Sequence, residues 1–178
     1  MEMEKRIEIP EGMNLEINRE IIKVSGNGKT LSNSFILNKI NIVKHGHELV
    51  ISAEKNTKKE KKIIGAIVAH IKKMFVGLNE DYTYKMEICN VHFPMTVKID
   101  GGNLIIKNFL GEKLQRVAKI IPGVKVEMKG NIIEIQSHDK DAAGLTASNI
   151  ELATKIRNRD RRIFQDGIFI IEKPGRTK

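Results

Sequence analysis

Gly130 with Ile132-Ile133-Glu134-Ile135 repeats, 84 positions later, the pattern of Gly46 with Glu48-Leu49-Val50-Ile51. The same offset carries Ile21-Ile22-Lys23 onto Ile105-Ile106-Lys107, and between them Gly28-Lys29-Thr30-Leu31 answers Gly111-Glu112-Lys113-Leu114 with a slip of one residue. Three matches in one order mark an internal duplication, the first thing to look for in a chain whose length alone fits one large or two small domains. The repeat predicts two tandem domains, residues 1–82 and 83–178.

Within each copy the pattern reads as strands first and a helix last. Leu15–Asn18, Glu20–Ser25 and Glu48–Ala53 are short runs rich in Ile and Val, separated by Gly and Asn turn residues. Thr57-Lys58-Lys59-Glu60 then has the form of a capping box, and a helix is expected to start there. Its apolar stripe is Ile63, Ile67, Ile71 and Met74, flanked by Ile64, Val68 and Phe75. In the second copy, strands are expected near Thr96–Asp100, Asn103–Asn108, Val124–Lys129 and Asn131–Gln136. A helix should follow from about Asp141 to Arg157, with Ala143, Ala147, Ile150 and Ala153 on one face. The class is α+β: two duplicated domains, each a small, mainly antiparallel sheet packed on one face by a helix. Beyond the second helix, apolar runs on either side of Asp166-Gly167 predict a hairpin tail that the first copy lacks.

Charge follows the same asymmetry. Lys and Arg number 31 against 22 Asp and Glu, a surplus of +9 that favours a polyanionic partner. Residues 1–82 hold 14 basic and 11 acidic side chains, residues 83–178 hold 17 and 11, and from Lys155 to Lys178 there are eight and three. The single Cys89 rules out an intrachain disulfide and points to a reducing compartment. The start, Met1-Glu2-Met3-Glu4-Lys5-Arg6, does not read as a secretory signal, and the uncharged stretch Ile63 to Ala69 is far short of the roughly 20 residues a spanning helix needs. A cytoplasmic protein without membrane partners is expected.

Catalytic readings fail on spacing. Gly28-Lys29-Thr30 could end a phosphate loop, but the opening glycine would fall at Lys23, and the following Leu31-Ser32-Asn33-Ser34-Phe35 reads as extended rather than helical. One cysteine and the scattered His45, His47, His70, His92 and His138 do not assemble the four ligands of a zinc site. His70, between Ala69 and Ile71, is a helix-surface or satisfied core residue. Asp139 and Asp141 precede the second helix, where carboxylates meet unpaired amides, so they read as caps rather than as an acid–base pair. Gly-x-Ser-x-Gly is absent. No enzyme, metal or cofactor is expected.

Lys155, Arg157, Arg159, Arg161 and Arg162 are interrupted in charge only by Asp160, more cations than a helix C-terminus needs to satisfy its dipole. Arginine's planar fork suits phosphate oxygens, and each phosphate contact adds affinity by counterion release. Lys173, Arg176 and Lys178 in the tail extend the candidate RNA-binding surface. Six Phe, two Tyr and no Trp leave few platforms for stacking bases, so the expected target is folded RNA read by shape and backbone.

Several strings then resemble a known family. They are His92-Phe93-Pro94-Met95-Thr96-Val97-Lys98, Asn108-Phe109-Leu110-Gly111-Glu112-Lys113, Asp139-Lys140 with Gly144, Thr146-Ala147 and Asn149-Ile150-Glu151, and Arg159-Asp160-x-Arg162-x-Phe164-Gln165-Asp166-Gly167-Ile168. With Ala69-His70-Ile71 in the first helix, they resemble the sixth protein of the large ribosomal subunit in its archaeal and eukaryotic branch. The resemblance implies a non-enzymatic ribosomal constituent whose C-terminal domain anchors to large-subunit ribosomal RNA near the factor-binding region and the sarcin–ricin loop, with RNA contacts on that domain's basic residues, Lys113 and Arg116 among them, and on the Lys155 to Arg162 run. It implies neighbouring ribosomal proteins, and translation factors, as further partners. Two other classes stay open on the residues alone: a protein-interaction module pairing through sheet edges, and a nucleotide-dependent enzyme built on the Gly28-Lys29-Thr30 turn.

Overall fold

The computed structural model describes residues 3–18, 20–35 and 40–175. The chain forms two compact units that divide between Glu80 and Asp81. The first contains β1 (Met3–Glu8), β2 (Asn14–Asn18), β3 (Ile21–Gly26), β4 (Lys29–Ser34), β5 (Ile40–His45), β6 (Glu48–Ala53) and α1 (Lys58–Asn79). The second contains β7 (Tyr82–Cys89), β8 (Thr96–Asp100), β9 (Asn103–Lys107), β10 (Arg116–Lys119), β11 (Lys125–Lys129), β12 (Ile132–Ser137), α2 (Lys140–Ala153) and β13 (Gly167–Glu172).

Sheet order repeats with the sequence. The first unit has sheets β1-β6-β5 and β2-β3-β4, and the second has β13-β7-β12-β11, one strand longer, and β8-β9-β10, all antiparallel. Each unit is therefore an α+β fold of two sheets and a helix, one sheet more than the repeat foretold. In each unit the helix touches strands of both sheets, α1 against β1, β3, β4 and β6, and α2 against β7, β10, β12 and β13. Gly46 and Gly130 occupy the same β-turn in the two copies with φ of 58° and 61°, the left-handed region that glycine enters at no steric cost. The turn at Gly28 follows the same logic, joins β3 to β4, and opens no helix.

Alternation fixes which strand faces enter the core. In β6 the buried positions are Leu49, Ile51 and Ala53, and in β12 they are Ile133, Ile135 and Ser137. These join Ile64, Ile67, Ile71 and Leu78 of α1 in one core, and Ala143, Ala147 and Ile150 of α2 in the other. Thr57 caps α1 as a true box: its Oγ1 accepts from the Glu60 amide at 3.5 Å, and the Glu60 carboxylate accepts from the Thr57 amide at 3.2 Å. Asp139 caps α2 by accepting from the Asp141 amide at 2.9 Å.

Two expectations about the second unit need correction. The helix ends at Ala153, not at Arg157: the Thr154 hydroxyl turns back on the Ile150 and Glu151 carbonyls, the Lys155 amide closes on Leu152, and an arginine distant in sequence takes the Ala153 carbonyl. Buried Thr154 leaves its Oγ1 to accept the Ile168 amide at 3.0 Å, and Arg116 donates to the carbonyls of Ala153 and Lys155. There is also no hairpin at Asp166-Gly167. The apolar run after it becomes β13, which pairs with β7 (Gly167↔Cys89, Ile168↔Ile88), while the run before it lies in turns closed by the Ile163 and Phe164 amides on the Asp160 carbonyl. Asp166 is only 1% exposed and is occupied elsewhere, so it cannot sit at a solvated turn tip.

Candidate nucleic-acid interface

Residues 154–166 wrap from the end of α2 to the start of β13, and what holds this loop decides where its cations point. Asp166 is the anchor. Its Oδ1 accepts from the Val91 and His92 amides at 2.8 and 2.9 Å, and its Oδ2 lies 2.6 Å from His92 Nδ1. Burial raises the Asp166 pKa, but the His92 amide, the His92 ring and the Val91 amide together outweigh it, and the carboxyl is held below the usual aspartate range. The loop is thereby tied to the turn after β7 through a buried charge with three partners.

A stack of rings continues outward from this lock. The His92 imidazole lies against the Phe164 ring with centroids 4.7 Å apart at 24°, and the Arg159 guanidinium covers the same phenyl ring at 4.7 Å. Phe164 is thus engaged by His92 and Arg159, which removes it as a stacking platform for a base.

Arg116 forms the second support. From β10 it makes a two-point contact with Glu112 at 2.6 and 2.8 Å, and lies 4.2 Å over the ring of fully buried Phe109. With its two carbonyl contacts at the end of α2, four of its five N–H donors are spent inside the molecule. Glu112 in turn is held below the ordinary glutamate range, chiefly by the hydrogen bond from Arg116, against a smaller opposing effect of burial. Of the residues the sequence put forward, Arg116 is the one the fold employs as a brace.

Three of the remaining candidates, Arg157, Arg161 and Arg162, gather around Lys155. Lys155 lines two adjoining open clefts, one shared with Arg116 and Arg157, the other with Arg161, Arg162, Phe164 and Cys89. Arg162 pairs with Asp160 at 2.8 Å, and that hydrogen bond keeps the exposed Asp160 carboxyl below its usual range. Lys155, Arg157 and Arg161 are exposed and make no ion pair among the described residues. Three acids of this region are consumed by His92, Arg116 and Arg162, and Glu151, half-buried on the last turn of α2, also lines the cleft; the fully exposed charge left over is that of Lys155, Arg157 and Arg161. Lys113 is exposed in the loop before β10, and Lys173 follows β13; neither lines either cleft. Arg176 and Lys178 lie outside the described residues.

Such a surface can coordinate anionic oxygens and has no evident chemistry beyond that. No group of three or more His, Cys, Asp or Glu side chains converges as a metal site among the described residues. No helix among them is long and apolar enough to cross a membrane. Sequence reasoning missed the His92–Asp166 lock altogether, since its partners are 74 positions apart and carry no local pattern.

Comparison with known proteins gives one consistent result. The family model described as "Ribosomal protein L6" matches residues 93–167, which include β8 through α2 and the whole basic loop. The chain is 41% identical to the large ribosomal subunit protein uL6 of Methanosarcina mazei, over 97% of this chain and 98% of that protein. It is 38% identical to the uL6 protein of Aeropyrum pernix, over 95% of this chain and 93% of the relative.

Proposed function

Because the chain belongs to the ribosomal protein L6 family, a family of structural rather than enzymatic proteins, we propose that it is a constituent of the large ribosomal subunit that docks its second unit on folded ribosomal RNA. The observation that carries the docking mode is the loop after α2: Lys155, Arg157 and Arg161 point outward unpaired, on a backbone fixed by Asp166 and Arg116. Preorganised cations bind phosphate without an ordering cost at the moment of contact. Arg159, with its guanidinium on Phe164, and Arg162, which can exchange Asp160 for phosphate, complete the set, and Lys113 and Lys173 flank it. Arg116 contributes by holding the loop rather than by touching RNA. The family resemblance supports a position beside the sarcin–ricin loop, on the side where translation factors bind, with neighbouring ribosomal proteins as further contacts. The workplace is the cytoplasm, within the large subunit.

A protein-interaction module joined through sheet edges is the competing reading, and one observation favours it. Strand β7 is covered by β12 and β13, whereas its counterpart β1 pairs only with β6 and leaves an edge unpaired among the described residues. That edge carries Glu4, Lys5, Arg6 and Glu8, the charged side chains by which edge strands discourage pairing, so the RNA reading stands ahead of it.

Binding of the full chain to large-subunit ribosomal RNA and to an unrelated folded RNA, across a salt series, separates the two. Preferential, strongly salt-dependent affinity for the ribosomal RNA is the expected outcome. Equal, weak binding to both RNAs would refute the docking.

A further inference from the structure

Helix α1 of the first unit carries a charge distribution that its own fold does not call for. Lys58, Lys59, Lys61, Lys62, Lys72 and Lys73 face a single acidic residue, Glu60, whose carboxylate already accepts the Thr57 amide in the capping box. At 3.6 residues per turn the six lysines fall within an arc of about 160°. That arc lies opposite the buried Ile64, Ile67, Ile71 and Leu78, so no acid stands on the solvent face.

Intramolecular electrostatics oppose this arrangement. The first four lysines stand at the positive end of the helix dipole, where cations are disfavoured. Lys58 also faces Lys61 and Lys62 at helical spacings where like charges repel. Lys58, Lys59, Lys61, Lys62 and Lys72 make no ion pair among the described residues. Three lysines of the second unit do find acids, in Lys85–Glu172, Lys125–Glu127 and Lys129–Glu134, whereas on α1 no acid is within the lysine arc to meet them.

Between the two lysine groups the face is low: Gly65, Ala66 and Ala69 are its only residues there, and Val76 is the one large apolar side chain exposed on it. A protein interface of useful affinity is anchored by buried aromatic or aliphatic side chains. This face offers only the single Val76, beyond Lys72 and Lys73, and otherwise flexible ammonium groups either side of a shallow saddle about 15 Å long from Lys62 to Lys72.

We propose that the solvent face of α1 is a second RNA-backbone contact, separate from the loop after α2. Lys58, Lys59, Lys61 and Lys62 neutralise phosphates at one end, Lys72 does so at the other, and the small residues between them let the sugar–phosphate chain approach the helix. The lysine side chains make the site, since the capping box already engages the Thr57 and Glu60 amides at the helix start. The inference rests on ribosomal RNA being the partner, as proposed above.

The test uses the full chain with Lys58, Lys59, Lys61 and Lys62 each changed to Gln, which keeps helix propensity and the cap; its melting temperature serves as the folding control. Salt-series binding to large-subunit ribosomal RNA should show the slope reduced by about three to three and a half, at roughly 0.7–0.9 for each of the four lost phosphate contacts. Lysine acylation of the wild-type protein should show these four residues and Lys72 protected by RNA alone. An unchanged slope with unprotected lysines overturns the proposal. So does protection seen only in the assembled subunit, which would assign the face to a protein neighbour. If the wild-type chain shows no preference for ribosomal RNA, it is the docking reading itself that fails.

Discussion

The two units share a topology strand for strand, yet only the second possesses a β13, a buried Asp166 and an arginine brace. Each closes the end of its helix with a side chain from the β3–β4 or β9–β10 region. In the first, Asn27 Nδ2 donates to the Leu78 carbonyl at 3.3 Å and to Asn79 Oδ1 at 3.2 Å; in the second, Arg116 does the work. Asn27 carries no charge and needs no counterion, whereas Arg116 recruits Glu112 and positions a cationic loop. Duplication supplied the scaffold twice, and the loop that distinguishes the copies is the one whose charges point outward.

The strongest way to break this comparison is at the lock. Asp166→Ala leaves the Val91 and His92 amides without their acceptor and frees the loop, and should cost about 3 kcal/mol in urea unfolding. Since the folded-state pKa is depressed, Asp166 adds stability that is fully present above its unfolded pKa of about 3.9, and loses it as the pH falls from there through the folded value. Asp166→Asn should flatten that acid limb. A stability curve unaltered by either change would remove the lock from the account.

Next in size, Arg116→Lys should cost about 2 kcal/mol, because an ammonium cannot span Glu112 and two carbonyls together. Equal stability of the lysine variant would show that charge, not the guanidinium fork, is what the brace needs. In the first unit, Thr57→Ala removes one cap and should cost about 1 kcal/mol, read as a shift in the denaturation midpoint. The smallest effect is expected at Asp160. This exposed acid pairs only with its neighbour Arg162, so Asp160→Ala should leave the melting temperature where it is and steepen the salt dependence of RNA binding by up to about one contact.

What the sequence disclosed follows from how local each signal is. The 84-residue repeat, the Thr57 box, the Asp139 cap and the α1 stripe are set by neighbours within a few positions, and the structure realises all of them. Strands β1, β5, β7 and β10 escaped notice: Met3–Glu8 and Tyr82–Cys89 are rich in charge or hydroxyl groups, Arg116–Lys119 is short and half charged, and β7 takes its central place by pairing with distant β12 and β13. The hairpin expectation failed for the same reason. Asp166-Gly167 has the composition of a tight turn, but the partner that outcompetes solvent for its carboxylate is His92, which no local reading of residues 160–170 can contain. At the basic loop, residue type identified the cations, while only coordinates separate Arg116, turned inward, from Lys155, Arg157 and Arg161, turned outward.

The central claim, that the loop after α2 is what docks this protein on ribosomal RNA, is tested most directly in the full chain with Arg159, Arg161 and Arg162 changed to Ala. These side chains contribute little to folding, so the melting temperature should hold near the wild-type value. In a salt series against large-subunit ribosomal RNA, the slope of log affinity on log salt should fall by roughly two to three, and the preference over unrelated RNA should shrink with it. A variant that keeps the wild-type slope and preference would contradict the account and move the docking surface elsewhere on the molecule.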